Sequence, residues 1–237
     1  MSVFKQTDVV LLSGGLDSAA NLALSKVEGR AVLALTAHYG QRAFERELQS
    51  AKRLAEWAGV EHAVVDLQWL GRLGGSALTD STRDVPQVAR EALDDRVVTE
   101  ESARKVWVPN RNGVLIQVAA AFAEARGLRR VLVGFNREEA ATFPDNTAAF
   151  ITASNSALEY STARESNVKV ASYTVAMDKR EIVARLKQEE NFPFEALWSC
   201  YHSDEVPCGV CESCERLKRA LDANEVQWPW PFNNRSI

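Results

Sequence analysis

VVLLSGGLDSAANLAL, residues 9–24, is the stretch from which the rest of the chain can be read. Val9 to Leu12 form a short apolar run of the kind that makes a strand buried on both faces, and Gly14-Gly15 lets the chain turn sharply at its end. A helix follows through Asn21, Leu22 and Leu24, with Asp17 or Ser18 as its cap. Unpaired N–H groups and the helix dipole make such a helix start an anion site, and phosphate is its usual occupant. Ser13 and Ser18 flank the turn and add donors, while Asp17 either holds a magnesium ion or caps the helix. The alternative is a tight turn without a ligand, which serines on both sides of the glycines disfavour. The stretch carries neither the GK[ST] of a Walker loop nor the G-x-G-x-x-G of a Rossmann turn. It reads as a different phosphate loop.

Working outward, residues 31–39 (AVLALTAHY) read as a second buried strand. Residues 41–59 then read as a helix with Phe44, Leu48, Leu54 and Trp57 on its apolar stripe and Gly59 as its stop. Further strands are expected at 62–67, 128–136 and 168–173, and helices from the Pro-Asn-Arg-Asn turn to Arg126 and over 179–189, the latter opening after Asp178. Residues 69–103 are polar and weakly periodic, an excursion from the core that is partly helical around 88–93. Strands apolar on both faces that alternate with helices predict an open parallel α/β sheet with helices on both sides. Ligands of such sheets sit beyond the carboxyl ends of the strands, so SGGLDS, the turn after Tyr39 and the GFN turn should share one crevice. The aromatic, proline-containing QWPWPFNN near the end is expected to lie across a surface.

Hydrophobic residues make up 46% of the 237, enough for a packed core, so disorder is excluded as the default. A net charge of −4 argues against a general nucleic-acid binder, which needs a basic face. No apolar run approaches the roughly 18 residues of a membrane span, and MSVFKQTD does not read as a signal peptide. The expectation is a soluble cytoplasmic protein with no membrane partner.

All four cysteines fall between residues 200 and 214, as Cys200-x7-Cys208-x2-Cys211-x2-Cys214. A disulfide scaffold spreads its cysteines; clustering points to a metal. Four thiolates close a tetrahedral zinc site with no open position, which makes the metal structural. An iron–sulfur cluster competes, although the further cysteine and proline of ferredoxins are missing. His202 is an alternative ligand, and unligated thiols remain the third reading.

SGGLDS (13–18) resembles the pyrophosphatase-loop motif of the N-type enzymes that cleave ATP between its α and β phosphates. Together with YGQRAFEREL (39–48), VPNRN (108–112), GFN (134–136), FPD (143–145), MDKREIV (177–183) and WSCYHSDEVPCGVCESCERLK (198–218), it resembles the 7-cyano-7-deazaguanine synthase family. The motifs stand in family order from end to end, and the cysteine block is the most specific. The resemblance implies a pyrophosphatase-loop ATP-binding α/β domain over 1–190 and a zinc segment with tail over 191–237. It implies conversion of 7-carboxy-7-deazaguanine and ammonia to the 7-cyano base through an adenylated carboxylate and an amide. ATP, Mg²⁺ and structural Zn²⁺ are the implied cofactors, and a homodimer the implied assembly.

The resemblance also assigns roles by position. Ser13, Gly14, Gly15, Leu16, Asp17 and Ser18 hold the β and γ phosphates with Mg²⁺. Lys179 suits the pyrophosphate or the developing adenylate charge; an exposed lysine in a helix's first turn, an unfavourable place for a cation, is the alternative. Arg111 and Asn112, at a helix start beside the crevice, are candidates for nucleotide contact. Tyr39, Gly40, Gln41 and Arg42 are candidates for substrate, or an ordinary strand-to-helix turn. Asn136, Glu139 and Asp145 are candidates for the deazaguanine edge, because a carboxylate accepts from both guanine-type N–H groups.

One segment departs from the family. Close members carry an aspartate after the GxN turn and then Tyr-Pro-Asp-Cys-Arg; here stand Glu139 and Phe143-Pro144-Asp145-Asn146-Thr147. Other readings follow from it: a paralogue that delivers the acid to another amine, for example on a protein, or that stops at the amide. A tRNA-modifying pyrophosphatase-loop enzyme and a zinc-bearing nucleotide-binding module without catalysis complete the set. No stable nucleic-acid contact is expected.

Overall fold

A computed structural model describes residues 7–231, so the first six residues and the end of the QWPWPFNN tail lie outside it. Five strands, β1 (Asp8–Leu11), β2 (Ala31–His38), β3 (Glu61–Asp66), β4 (Arg130–Leu132) and β5 (Lys169–Ala171), form one parallel sheet in the order β3-β2-β1-β4-β5. The chain therefore reverses its winding at β1, and the crevice beyond the carboxyl ends of β1 and β4 opens at that switch point.

Alternation along the central strands divides the core in two. Val10, Leu12, Ala34 and Leu132 face helices α1 (Leu16–Val27), α2 (Phe44–Ala58) and α7 (Lys179–Leu186). Val9, Leu33, Leu35, Val131 and Val170 face α4 (Arg111–Ala125) and α6 (Ala148–Ser161). Apolar residues at both phases of a period-2 repeat are what a doubly covered parallel sheet requires.

Several boundaries differ from the expectation, each for a local reason. Helix α1 starts at Leu16 with Gly15 as its N-cap, so neither Asp17 nor Ser18 caps it; Ser18 instead donates to the Gly15 carbonyl at 3.0 Å. β4 stops at Leu132, short of 136, and Gly134 packs against the first turn of α1, where a Cβ would stand 2.7 Å from the Ser18 nitrogen. In the excursion, one turn of 3₁₀ helix at Arg90–Ala92 precedes α3 (Arg96–Val106), which the Asp95 carboxylate caps. Helix α6, capped by Thr147, forms in a Ser/Thr/Asn-containing stretch for which the sequence pattern predicts no helix. Helix α7 does open at Lys179, fixed by a reciprocal capping box between Asp178 and Glu181, and it ends at Leu186.

The carboxyl-terminal segment packs into the same core as the rest. Leu197 and, on α8 (Glu212–Asp222), Leu217, Ala220 and Leu221 join the cluster of Leu12, Leu16 and Leu54. The Trp198 N–H donates to the Gly14 carbonyl at 2.9 Å, fastening this segment to the phosphate loop. Trp228 and Trp230 pack edge to face with each other, and both lie against the margin of the core. Among the described residues no helix is long and apolar enough to cross a membrane.

Candidate functional site

The loop after β1 is shaped from beneath. Gly14 has φ +83°, and a Cβ there would stand 2.4 Å from the Ser50 hydroxyl, so only glycine fits. Ser50 Oγ lies 3.0 Å from the Gly14 carbonyl and 2.5 Å from that of Ala196, tying α2, the loop and the carboxyl-terminal segment together. Ser18 Oγ accepts from the Ser13 N–H at 3.3 Å. No side chain caps α1, which leaves its first N–H groups aimed at the crevice.

Above that helix start sits a lysine between two carboxylates. Lys179, 6% exposed, places Nζ 2.6 Å from Asp17 Oδ2 and 2.8 Å from Glu139 Oε1. Burial pushes the Asp17 carboxyl up to about 6, although the Lys179 charge pulls the other way. Burial alone would also raise Glu139, but the Lys179 ammonium holds it below its ordinary value. For Lys179 the order reverses: burial would lower it, and the two carboxylates more than offset that and hold it up. The second oxygen of Asp17, Oδ1, is buried without a partner among the described residues. A carboxylate oxygen left in that state beside a phosphate-type loop is a fitting ligand for a divalent cation.

Glu138 locks the start of α7 to α8. Its Oε1 accepts from the Lys179 backbone N–H at 3.0 Å, and its Oε2 accepts from Arg216 and Arg219, each at 2.9 Å. Arg216 also donates to Glu212 at 2.9 Å, and Glu212 in turn accepts from Ser102.

These parts line one cavity of about 260 Å³. It brings together Ser13, Gly15, Leu16, Asp17, Ser18, Tyr39, Gln41, Arg111, Asn112, Glu139 and Lys179. Five sequence candidates stand off its wall, among them Gly40, whose φ of +86° turns the chain against Gly71. Gly14 turns toward α2, and Arg42 donates to the carbonyls of Ala77 and Arg83, bracing that loop. Asn136 is fully buried, its side-chain oxygen capping the short helix α5 (Arg137–Ala140) and its amide nitrogen without a partner among the described residues. Asp145 also stands off the cavity wall: a single 3₁₀ turn at Pro144–Asn146 sends Asn146 inward and leaves Asp145 beside it. Its backbone carbonyl receives the Asn112 amide at 3.3 Å.

Other lining residues carry no expectation from sequence. Trp198, Tyr201, Glu212 and Arg216 make the cysteine segment one wall of the cavity. Glu47 faces it from α2; burial raises its carboxyl, and Gln41 Nε2 donates to it at 2.9 Å. The signal was present: Glu47 lies three residues before Ser50, the loop's support, one helical turn away.

The four cysteines converge. Their sulfurs all lie within 4.8 Å of one another, with Cys200–Cys208 at 3.5 Å and Cys208–Cys214 at 4.0 Å, and none forms a disulfide. A tetrahedral ion with metal–sulfur bonds of about 2.3 Å needs sulfurs roughly 3.8 Å apart. N–H groups of His202 and Cys208 point at the Cys200 sulfur at 3.4 Å, a pattern that favours thiolate. The donor set fits a tetrahedral metal. The excursion covers it, with Val85 packed on the cysteines and Pro86 accepting from the Glu212 N–H.

Comparison with known proteins gives a consistent set of likenesses. The family model for queuosine biosynthesis protein QueC matches residues 7–225. The 7-cyano-7-deazaguanine synthase of Desulforamulus reducens is 46% identical over 224 residues, covering 94% of this chain and 97% of its own. That of Desulforudis audaxviator is 50% identical over 212 residues, covering 90% and 94%. That of Methanosarcina mazei is 44% identical over 216 residues, covering 90% and 92%.

Proposed function

The chain belongs to the family of queuosine biosynthesis protein QueC, and from that premise we propose that it is an ATP-dependent 7-cyano-7-deazaguanine synthase. The observation that carries the mechanism is the Lys179 ammonium, held between Asp17 and Glu139 at the head of the phosphate-loop helix.

The chemistry asks the protein for position and charge rather than for a nucleophile of its own. A carboxylate oxygen of 7-carboxy-7-deazaguanine attacks the α-phosphorus of ATP, forming an acyl adenylate as pyrophosphate leaves. Ser13, Gly15, Ser18 and the free N–H groups of α1 hold that departing group, and Lys179 offsets its negative charge. Ammonia attacks the activated carbonyl, AMP departs, and a proton is released with the amide. The amide oxygen then attacks the α-phosphorus of a second ATP as pyrophosphate leaves; loss of AMP and of the two amide protons gives the nitrile. Asp17, through Oδ1, would hold Mg²⁺ on the phosphates. Cys200, Cys208, Cys211 and Cys214 would hold Zn²⁺, which supplies a structural clamp for the cavity wall.

Relatives named for the synthase at 44–50% identity over nine-tenths of the chain favour this reading over an amide-only enzyme, another amine acceptor or tRNA modification. A homodimer in the cytoplasm without stable nucleic-acid contact completes it, supported by the family resemblance and the net charge of −4. Incubation with ATP, Mg²⁺, the carboxy-deazaguanine and ammonium, followed by mass spectrometry, should give the nitrile. Accumulation of amide alone, with ATP in excess, would remove the nitrile-forming step.

A further inference from the structure

We propose that Arg111 binds the carboxylate of the acid substrate, an inference that rests on the synthase reading above. Three cations line the cavity among the described residues: Lys179, Arg216 and Arg111. Two are already paired, Lys179 with Asp17 and Glu139, and Arg216 with Glu138 and Glu212. Arg111 has no carboxylate within ion-pair distance among the described residues. Its guanidinium reaches only the Asn112 side-chain oxygen at 3.2 Å and the Tyr39 hydroxyl at 3.5 Å, and lies 5.6 Å from the centre of the Tyr39 ring.

A guanidinium in that state has donors to spare, since the carboxylates that act on it, Asp145, Glu139 and Glu47, all stand beyond ion-pair distance. Burial alone would lower its pKa, but Tyr39, Asp145 and Glu139 outweigh that and keep it charged. Its backbone setting adds to the positive potential. Arg111 is the first residue of α4, a helix of 15 residues whose N-cap, Asn110, gives no side-chain cap. The Arg111 N–H donates to the Val108 carbonyl at 3.2 Å, and the N–H groups that follow it lie at the positive end of α4.

The planar fork of an arginine matches a carboxylate in two parallel hydrogen bonds. Phosphate needs no such fork here, because the SGGLDS loop and Lys179 already serve it from α1 and α7. The neighbouring segment offers no rival cation. Asn146 donates to the Asp145 carboxylate, and the Thr147 hydroxyl caps α6. Arg111 therefore passes from the nucleotide to the acid.

The amide intermediate makes the test sharp, because it has the same ring and no charge. Arg111→Gln should lose about 100-fold in kcat/KM for the acid, keep amide-to-nitrile conversion within about three-fold, and leave the KM for ATP unchanged. Arg111→Lys should recover part of the loss, as a point charge replaces the fork. Equal losses on acid and amide, or a loss centred on ATP, would overturn the assignment, as would an undiminished rate on the acid. Wild-type protein inert toward both compounds would overturn the synthase reading itself.

Discussion

The Lys179 ammonium lies 2.6 Å from the Asp17 carboxylate, a contact between residues 162 positions apart. It joins the first turn of the first helix to the first residue of the seventh, and both ends are fixed by backbone geometry rather than by side-chain reach. Asp17 follows the Gly14-Gly15 turn, and Lys179 follows the Asp178 capping box. A cation at a helix start is unfavourable alone, and the two carboxylates are what hold it there.

Asp17→Asn should therefore reduce pyrophosphate release by at least about 100-fold, since a transition-state charge contact and a cation ligand are both lost. Lys179 keeps Glu139, so stability should fall by only about 1–3 kcal/mol, less than for an orphaned buried charge. Pyrophosphate assay and thermal melting read the two effects separately. Turnover near wild type would take Asp17 out of the mechanism.

The same carboxyl sets a pH limb. Burial raises Asp17 to about 6, and only its ionised form pairs with Lys179 or holds a cation. As pH falls through about 6 the carboxyl gains a proton and kcat/KM for ATP should decline, while above that value it should level off. A profile of kcat/KM between about pH 5 and 8 checks this. A flat line through the interval would assign no role to Asp17 ionisation.

Metal removal should act on the cavity wall first. Cys211 is the N-cap of α8, whose residues Glu212 and Arg216 line the cavity. Zinc is expected to copurify at about one equivalent per chain, and Cys211→Ala should lose it and lower thermal stability, because thiolate–metal bonding is part of the folding free energy. Elemental analysis showing iron, with a visible chromophore, would replace zinc by a cluster.

How much of this was legible follows from how local each signal was. Val9 and Val10 facing opposite cores, the Gly14-Gly15 turn, the Asp178 cap and the cysteine spacing are all settled within a few residues, and each can be read without knowing the rest of the chain. The wall contributed by Glu212 and Arg216 was hidden, because the cysteine block announces a metal and says nothing of what its helix faces. Asp145 and Asn146 differ by one position on a 3₁₀ turn, a distinction that no pattern in FPDNT carries. Helix α6 carries no clear apolar period, because its Ser, Thr and Asn residues interrupt it and compete for backbone hydrogen bonds.

Glu138 gives the last prediction. Its carboxylate accepts the Lys179 backbone N–H with one oxygen and both Arg216 and Arg219 with the other. Glu138 does not itself line the cavity but holds two residues that do, Lys179 and Arg216, so it acts through them as a positioning residue. Glu138→Gln keeps the shape and one acceptor oxygen, but puts an NH₂ group against either the lysine N–H or the two guanidinium groups. One side must move, and the start of α7 or the base of α8 moves with it. A displacement of Lys179 of about 1 Å from the departing phosphate should cost roughly 10- to 100-fold in kcat. The KM for ATP should change little, because the SGGLDS loop is untouched, and the metal content should stay at its wild-type level. Glu138→Asp, which retains the charge on a shorter arm, should recover part of kcat. A rise in KM with kcat unchanged, or loss of the metal together with activity, would make Glu138 a fold residue and uncouple α8 from Lys179.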